Sequence, residues 1–345
     1  MQSMSATPLF KELPKLGKMP SRRLESVISI ELRCPSCHES LGHTSYVSLA
    51  KGNESFFCSR CVAPLAAEDG IWPALPAARK RHFARFVKEY EYIRREEGRG
   101  NERAEFYLAL PYRDLTGRNS WQWGIRGKTF RYIERKILQG LRRERNVPLA
   151  ILDLGAGNGW MSHCLARLGH RPVAVDLLNN AYDGLGAATH YQSVLPELFP
   201  RFQAELDNLP FAAEQFDCVI FNASFHYSEN YDRTLGEAIR CLRRGGTIVI
   251  ADSPSYSKEA WGLQMREERK REFEKRYGFR ADGLESGEYL TPERLIALEA
   301  RHNLVWTAHR IWYGISWACR PWIAKWRKRR EPSQFILYSA QVQTR

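Results

Sequence analysis

The apolar positions of this chain change their period along its length. From Leu149 to Leu154 they run almost without interruption, broken only by Asp153, and the run ends in glycines at alternate positions, Gly155, Gly157 and Gly159. A short continuous apolar run bounded by glycine predicts a buried parallel strand. The spacing from Met161 to Leu168 then predicts a helix. Pro172–Asp176, the run from Gln215 to Asn222 and the run from Thr247 to Asp252 repeat the strand pattern, with a helix predicted over 234–242 between the last two. Strands alternating with helices predict an α/β, doubly wound, mostly parallel sheet. Late strands are predicted near 303–313 and 333–342, after a helix that opens on Thr291 as cap and Pro292 at its first turn. Earlier in the chain, Phe83, Phe86, Val87, Tyr90 and Ile93 fall at helical spacing across 77–98. The Lys and Arg between them form a face for phosphates or for solvent. Thr129–Glu144 reads as a second amphipathic helix, and Glu259–Tyr277 as a helix with both charge signs interleaved.

The punctuation divides the chain. Residues 1–28 carry few structural signals and read as a flexible arm; 29–76 read as a separate small module; 77–147 as a helical linker and cover; 148–345 as the main α/β domain, with an insertion at 253–290 that is expected to cap a binding site. The module holds two C-x-x-C knuckles, Cys34/Cys37 and Cys58/Cys61. Two thiolate pairs of this kind can complete one tetrahedral zinc site, and four protein ligands make such a site structural rather than catalytic. The other four of the eight cysteines are scattered, which argues for a reducing, cytoplasmic setting. No stretch is long and apolar enough to predict a membrane span. The formal net charge of +13 favours polyanions or an anionic surface as partners, without excluding a small substrate.

The glycine turn narrows the chemistry. A dinucleotide fingerprint places its third glycine three residues after the second, where this chain has Trp160. Asp153 at the strand end is also badly placed for a pyrophosphate. The run Asp153-Leu154-Gly155-Ala156-Gly157-Asn158-Gly159 resembles the first motif of the class I S-adenosylmethionine (SAM) methyltransferases, D/E-x-G-x-G-x-G. The resemblance implies a Rossmann-like methyltransferase fold, a seven-stranded sheet and SAM as cofactor. It implies further that Asp153 and the three glycines bind the cofactor and that Asp176, ending the second strand, accepts from both ribose hydroxyls. The run Glu205-Leu206-Asp207-Asn208-Leu209-Pro210-Phe211 resembles the family's adenine-binding stretch. The resemblance puts Glu205, in place of the family's Asp, on the acidic position with the Leu206 backbone beside the ring, and Asp207, two residues on, is the rival for that position. Asn222, His226 and Tyr227 then follow the fourth strand, where cofactor and acceptor should meet. By the same resemblance, Tyr112, Trp123 and Arg126, in a loop-like aromatic stretch over 105–127, are candidates to cover the cofactor or the acceptor. Glu68-Asp69-Gly70-Ile71-Trp72-Pro73 resembles the end of the zinc-ribbon module of some rRNA guanine methyltransferases.

His226 is a candidate general base, with Tyr227 and Tyr112 as further catalytic candidates; a packed histidine reads the same in sequence. The acceptor is left open. The zinc module, the charge and the segment Trp312–Arg330, four tryptophans followed by a basic cluster, suit an RNA base. The same segment suits a membrane interface or a lipid-like acceptor, or an aromatic lid on the core. A small-molecule acceptor and a non-catalytic SAM- or RNA-binding protein complete the alternatives. The oligomeric state is not legible.

Overall fold

The computed structural model describes residues 28–145 and 148–342. Most of the expected amino-terminal arm, residues 1–27, lies outside the described residues. Five short strands come first: β1 (Ser29–Arg33), β2 (Ser40–Ser45), β3 (Ser55–Cys58), β4 (Ala63–Ala66) and β5 (Ile71–Pro73). The main sheet is built from β6 (Ala150–Leu154), β7 (Arg171–Asp176), β8 (Arg201–Gln203), β9 (Phe216–Asn222), β10 (Leu242–Ala251), β11 (Thr307–Arg310) and β12 (Ile336–Gln341). Every residue of β6 and β9 is buried, as expected of central parallel strands covered on both faces.

The strand order is β11-β12-β10-β9-β6-β7-β8-β5. Strands β6 to β10 are parallel to their neighbours, and β12 runs antiparallel between β10 and β11. The chain leaves β6 toward β7 and β8 on one side, then returns to start β9 on the other. The carboxyl ends of β6 and β9 therefore flank the switch point, where ligands of open α/β sheets bind.

The expected seven strands are joined by an eighth. β5 belongs to the amino-terminal module yet pairs in parallel with β8, Trp72 opposite Phe202. Gly70, at φ +71°, turns the chain into this strand. The physical reason is the size of Trp72. A module of this size has too little interior for an indole, and the ring is fully buried between Phe56, at 5.5 Å, and Phe202, at 6.0 Å. Its Nε1 donates to the Leu49 carbonyl at 3.0 Å. Other bonds join module and domain: Tyr46 Oη donates to the Pro172 carbonyl at 2.9 Å, and Arg33 pairs with Glu237 at 2.6 Å.

The stretch over 105–127 is more helical than its composition suggests. Ala104–Ala109 and Ser120–Tyr132 are helices, and only the polar turn between them is irregular. Asp114 organises that turn by accepting from the backbone N–H groups of Thr116 and Asn119 at 2.9 and 2.6 Å. Trp123 consequently sits on a helix and is buried, whereas Trp121 is exposed. The segment 312–330 forms two short helices, Ile315–Ala318 and Arg320–Trp326. No described helix is long and apolar enough to cross a membrane.

Because Trp72 belongs to a core shared by module and domain, Trp72→Ala should lower the stability of the whole chain by about 3–5 kcal/mol, in one cooperative urea transition. A loss confined to the module, leaving the unfolding of the main sheet unchanged, would contradict the shared core.

Candidate cofactor and acceptor site

The turn after β6 shapes the site. Gly155 has φ +75°, and a Cβ there would lie 2.2 Å from the Cβ of Ser224, so no larger residue fits between the ends of β6 and β9. Gly155 and Ala156 donate their N–H groups to the Val175 carbonyl at 2.8 and 3.0 Å. Gly157 donates to the carboxylate of Asp176 at 2.7 Å, and Leu178 N–H donates to its other oxygen at 2.8 Å. Burial outweighs these bonds and pushes the Asp176 carboxyl up to about 6.

A cavity of about 100 Å³ opens above this turn. Gly155, Gly157, Asp176, Leu206, Asn222, Tyr227 and Arg126 all line it. The Oδ1 of Asn222 is buried without a hydrogen-bond partner among the described residues. The cavity roof comes from the helix Ala77–Glu96, through Phe86, Tyr90 and Arg94. Arg94 is held by an ion pair to Asp183. A second cavity, of about 300 Å³, adjoins the first and shares Phe86, Tyr90, Arg94, Arg126 and Tyr227 with it. The insertion closes this one: Pro254, Met265, Arg269, Phe273 and Glu288 line it, with Phe335 from the chain end.

Several candidates lie elsewhere. Asp153 is buried beneath the turn, lines neither cavity, and accepts from Ser162 Oγ at 2.7 Å. A Cβ on Gly159 would point at Phe199, not into the cavity. Glu205 is buried and turned to Arg79, 2.7 Å away, while its neighbour Leu206 reaches the cavity. Tyr112 is exposed, beneath the Arg131 guanidinium, and lines neither cavity.

His226 lines the second cavity. Its Nδ1 lies 3.2 Å from Ser253 Oγ, and its ring is 4.4 Å from that of Tyr227. Burial, with Arg269 and Arg126 adding to it, pushes the imidazole down to about 3. Arg126 lies over the Trp123 ring at 4.7 Å, and burial beside Arg94 and Arg99 lowers its pKa to about 10. Asp252 accepts from Thr129 at 2.7 Å; burial pushes it up to about 6.

The sequence reading missed the roof. Phe86, Tyr90 and Ile93 announced a helix with an apolar face, but spacing alone cannot tell a face that packs on the core from one that covers a cavity. Asp183, Arg269 and Glu288 gave no local signal, because their neighbours in space come from distant segments.

The four cysteines of the module converge. Their sulfur atoms lie within 4.8 Å of one another, Cys34 to Cys61 at 3.9 Å and Cys37 to Cys58 at 3.5 Å. Zinc–thiolate bonds of about 2.3 Å in a tetrahedron imply sulfur–sulfur edges of about 3.8 Å, so the donor set is compatible with one zinc ion. None of the four lines either cavity.

Residues 152–250 match the family described as the methyltransferase domain. This chain carries a methyltransferase domain. Over 121 residues it is 28% identical to a malonyl-[acyl-carrier protein] O-methyltransferase of Methylococcus capsulatus, covering 35% of this chain and 43% of that protein. Over 112 residues it is 31% identical to a fatty-acid O-methyltransferase of Mycolicibacterium smegmatis, covering 32% and 40%. The chain thus matches less than half the length of either relative. Among solved structures, the 1,6-didemethyltoxoflavin-N1-methyltransferase of Burkholderia thailandensis, with S-adenosylhomocysteine bound, aligns at a TM-score of 0.42 and 17% identity, over 81% of this chain and 96% of that one.

His226, lining the second cavity, sits in a setting that disfavours the imidazolium. The ring resonances of His226 should stay those of a neutral imidazole from pH 8 to pH 5 in NMR titration; a midpoint near 6.5 would contradict this environment.

Proposed function

We propose that this chain transfers a methyl group from SAM, held in the first cavity, to a small-molecule or lipid-like acceptor held in the second. The observation that carries the reading is the junction of the two cavities. They meet at Arg126, Ala223 and Tyr227, at the switch point of the sheet. The first offers what an adenosine-bearing cation needs: a close backbone approach at Gly155 and Gly157, the Asp176 carboxylate for ribose hydroxyls, the open amide oxygen of Asn222 and the apolar edge of Leu206. SAM, when bound, supplies a methyl carbon activated by a sulfonium. Arg126 is the candidate to meet the carboxylate of its methionine end. Asp153 and Gly159 serve by shaping the turn, and Glu205 by anchoring Arg79.

The second cavity is walled by Phe86, Ile93, Ile125, Met265, Phe273 and Phe335, which suits an apolar body. The relatives named for malonyl-acyl-carrier protein and fatty acid favour such an acceptor over an RNA base. The chain's work is to exclude water and hold the acceptor in line. His226 is neutral at physiological pH and a weak base, so it and Tyr227 position an acceptor that is already deprotonated or loses its proton easily. The four cysteines hold a structural zinc that braces the module bearing β5. Metal analysis should return one zinc per chain, and none in a Cys34→Ser/Cys61→Ser variant; a zinc-free wild-type chain would remove this part of the reading.

The test is transfer of radiolabelled methyl from SAM to a panel of fatty acids, hydroxylated lipids and RNA. Label in the solvent-extractable fraction is expected; label in RNA alone would overturn the acceptor class. Asp176 adds a pH signature. Its ionised form accepts hydrogen bonds from the ribose, and its pKa near 6 means that protons compete below that value. SAM affinity should hold above pH 7 and fall about tenfold per unit well below pH 6. Asp176→Asn should weaken binding at pH 7.5 by roughly 10- to 100-fold and flatten this dependence, as expected when the acceptor of the ribose hydrogen bonds loses its charge. An unchanged profile in the variant would exclude Asp176 from the cofactor.

A further inference from the structure

The tryptophan-rich segment does not cover the core. Trp312, Ile315, Trp322 and Trp326 are 66%, 74%, 78% and 81% exposed, an apolar content unusual for a surface with nothing to meet. Trp322 and Trp326, four residues apart on one helix, share a face. Trp317 and Tyr313 are held inward: Tyr313 is buried, and the Trp317 ring is tilted against Phe335 at 5.1 Å and covered by Arg320 at 4.0 Å. Between 312 and 330 there are six basic residues and no acidic one. Of these, Arg330 is engaged by Glu268 at 2.5 Å, whereas Lys325, Arg327, Lys328 and Arg329 make no ion pair among the described residues.

We infer that this face docks on an anionic phospholipid surface, its tryptophans and Ile315 at the headgroup–acyl boundary and Lys325, Arg327, Lys328 and Arg329 against the phosphates. Charge complementarity selects an anionic partner. The aliphatic side chains select lipid over nucleic acid, because isoleucine stacks on no base but fits between acyl chains, and tryptophan favours that boundary. No described helix is long and apolar enough to span a bilayer. The face continues through Trp317 to Phe335, a wall of the second cavity. If the acceptor is lipid-like, docking sets the mouth of that cavity beside its source; that clause rests on the proposed function, whereas docking does not.

The full chain is tested by co-sedimentation with phosphatidylcholine vesicles, with and without phosphatidylglycerol, in parallel with a single-stranded RNA oligonucleotide. The expected result is binding to the anionic vesicles, weakened by salt, with a blue shift of tryptophan emission. The exposed triple variant Arg327→Ala/Lys328→Ala/Arg329→Ala should bind anionic vesicles about 100-fold more weakly. Trp322→Ala/Trp326→Ala should lose the blue shift and most of the binding. Equal retention on neutral and anionic vesicles, tryptophan variants that bind as well as the parent, or RNA bound in preference to vesicles would each overturn the proposal.

Discussion

The structure depends on how closely the backbone passes itself where β6 ends. Gly155 crosses Ser224 at a distance that admits no Cβ, and Ser224 Oγ donates to the Leu154 carbonyl at 2.5 Å. With β6 and β9 drawn together there, the amide of Gly157, two residues on, faces the Asp176 carboxylate on β7. Three strands are thus tied at one point. The cavity opens on the upper side of this turn, lined by Gly155, Gly157 and Asp176, while Asp153 accepts from Ser162 beneath it.

From this point outward the walls are supplied by pieces that arrive from far along the chain. The helix Ala77–Glu96 crosses above the turn and is fastened by Arg94 to Asp183 and by Arg79 to Glu205 and Glu229. The same helix follows β5 directly, so the strand that extends the sheet also fixes where the roof begins. Trp72 holds that strand in the common core. Cysteine module, sheet edge and cavity roof therefore follow one another directly along the chain. The insertion closes the far side, where Arg269 is held by Glu288 at 2.8 Å.

Much of this was legible in the residues. Uninterrupted apolar runs marked the buried strands, alternate glycines marked the turn, and the helix opening on Thr291 and Pro292 began where the capping chemistry placed it, with Thr291 accepting from Arg294 N–H at 3.3 Å. Those signals are local, and local physics decides them. The eighth strand was hidden because a three-residue strand has no period; only the burial of Trp72 reveals it. Glu205 illustrates a different limit. Its place in the motif carried no information about Arg79, more than a hundred residues earlier, which turns the carboxylate away from the cavity. The aromatic segment at 312–330 was ambiguous in sequence, because exposure, not composition, separates a lid from a docking face.

The central claim is that the cavity above the glycine turn is built for SAM. Calorimetric titration of the full, purified chain with SAM and with S-adenosylhomocysteine, against NAD as a control, tests it most directly. The account predicts one site per chain with an affinity of roughly micromolar order for both sulfur ligands and none for NAD. Absence of heat and of competition with either sulfur ligand, in a folded chain, would contradict it.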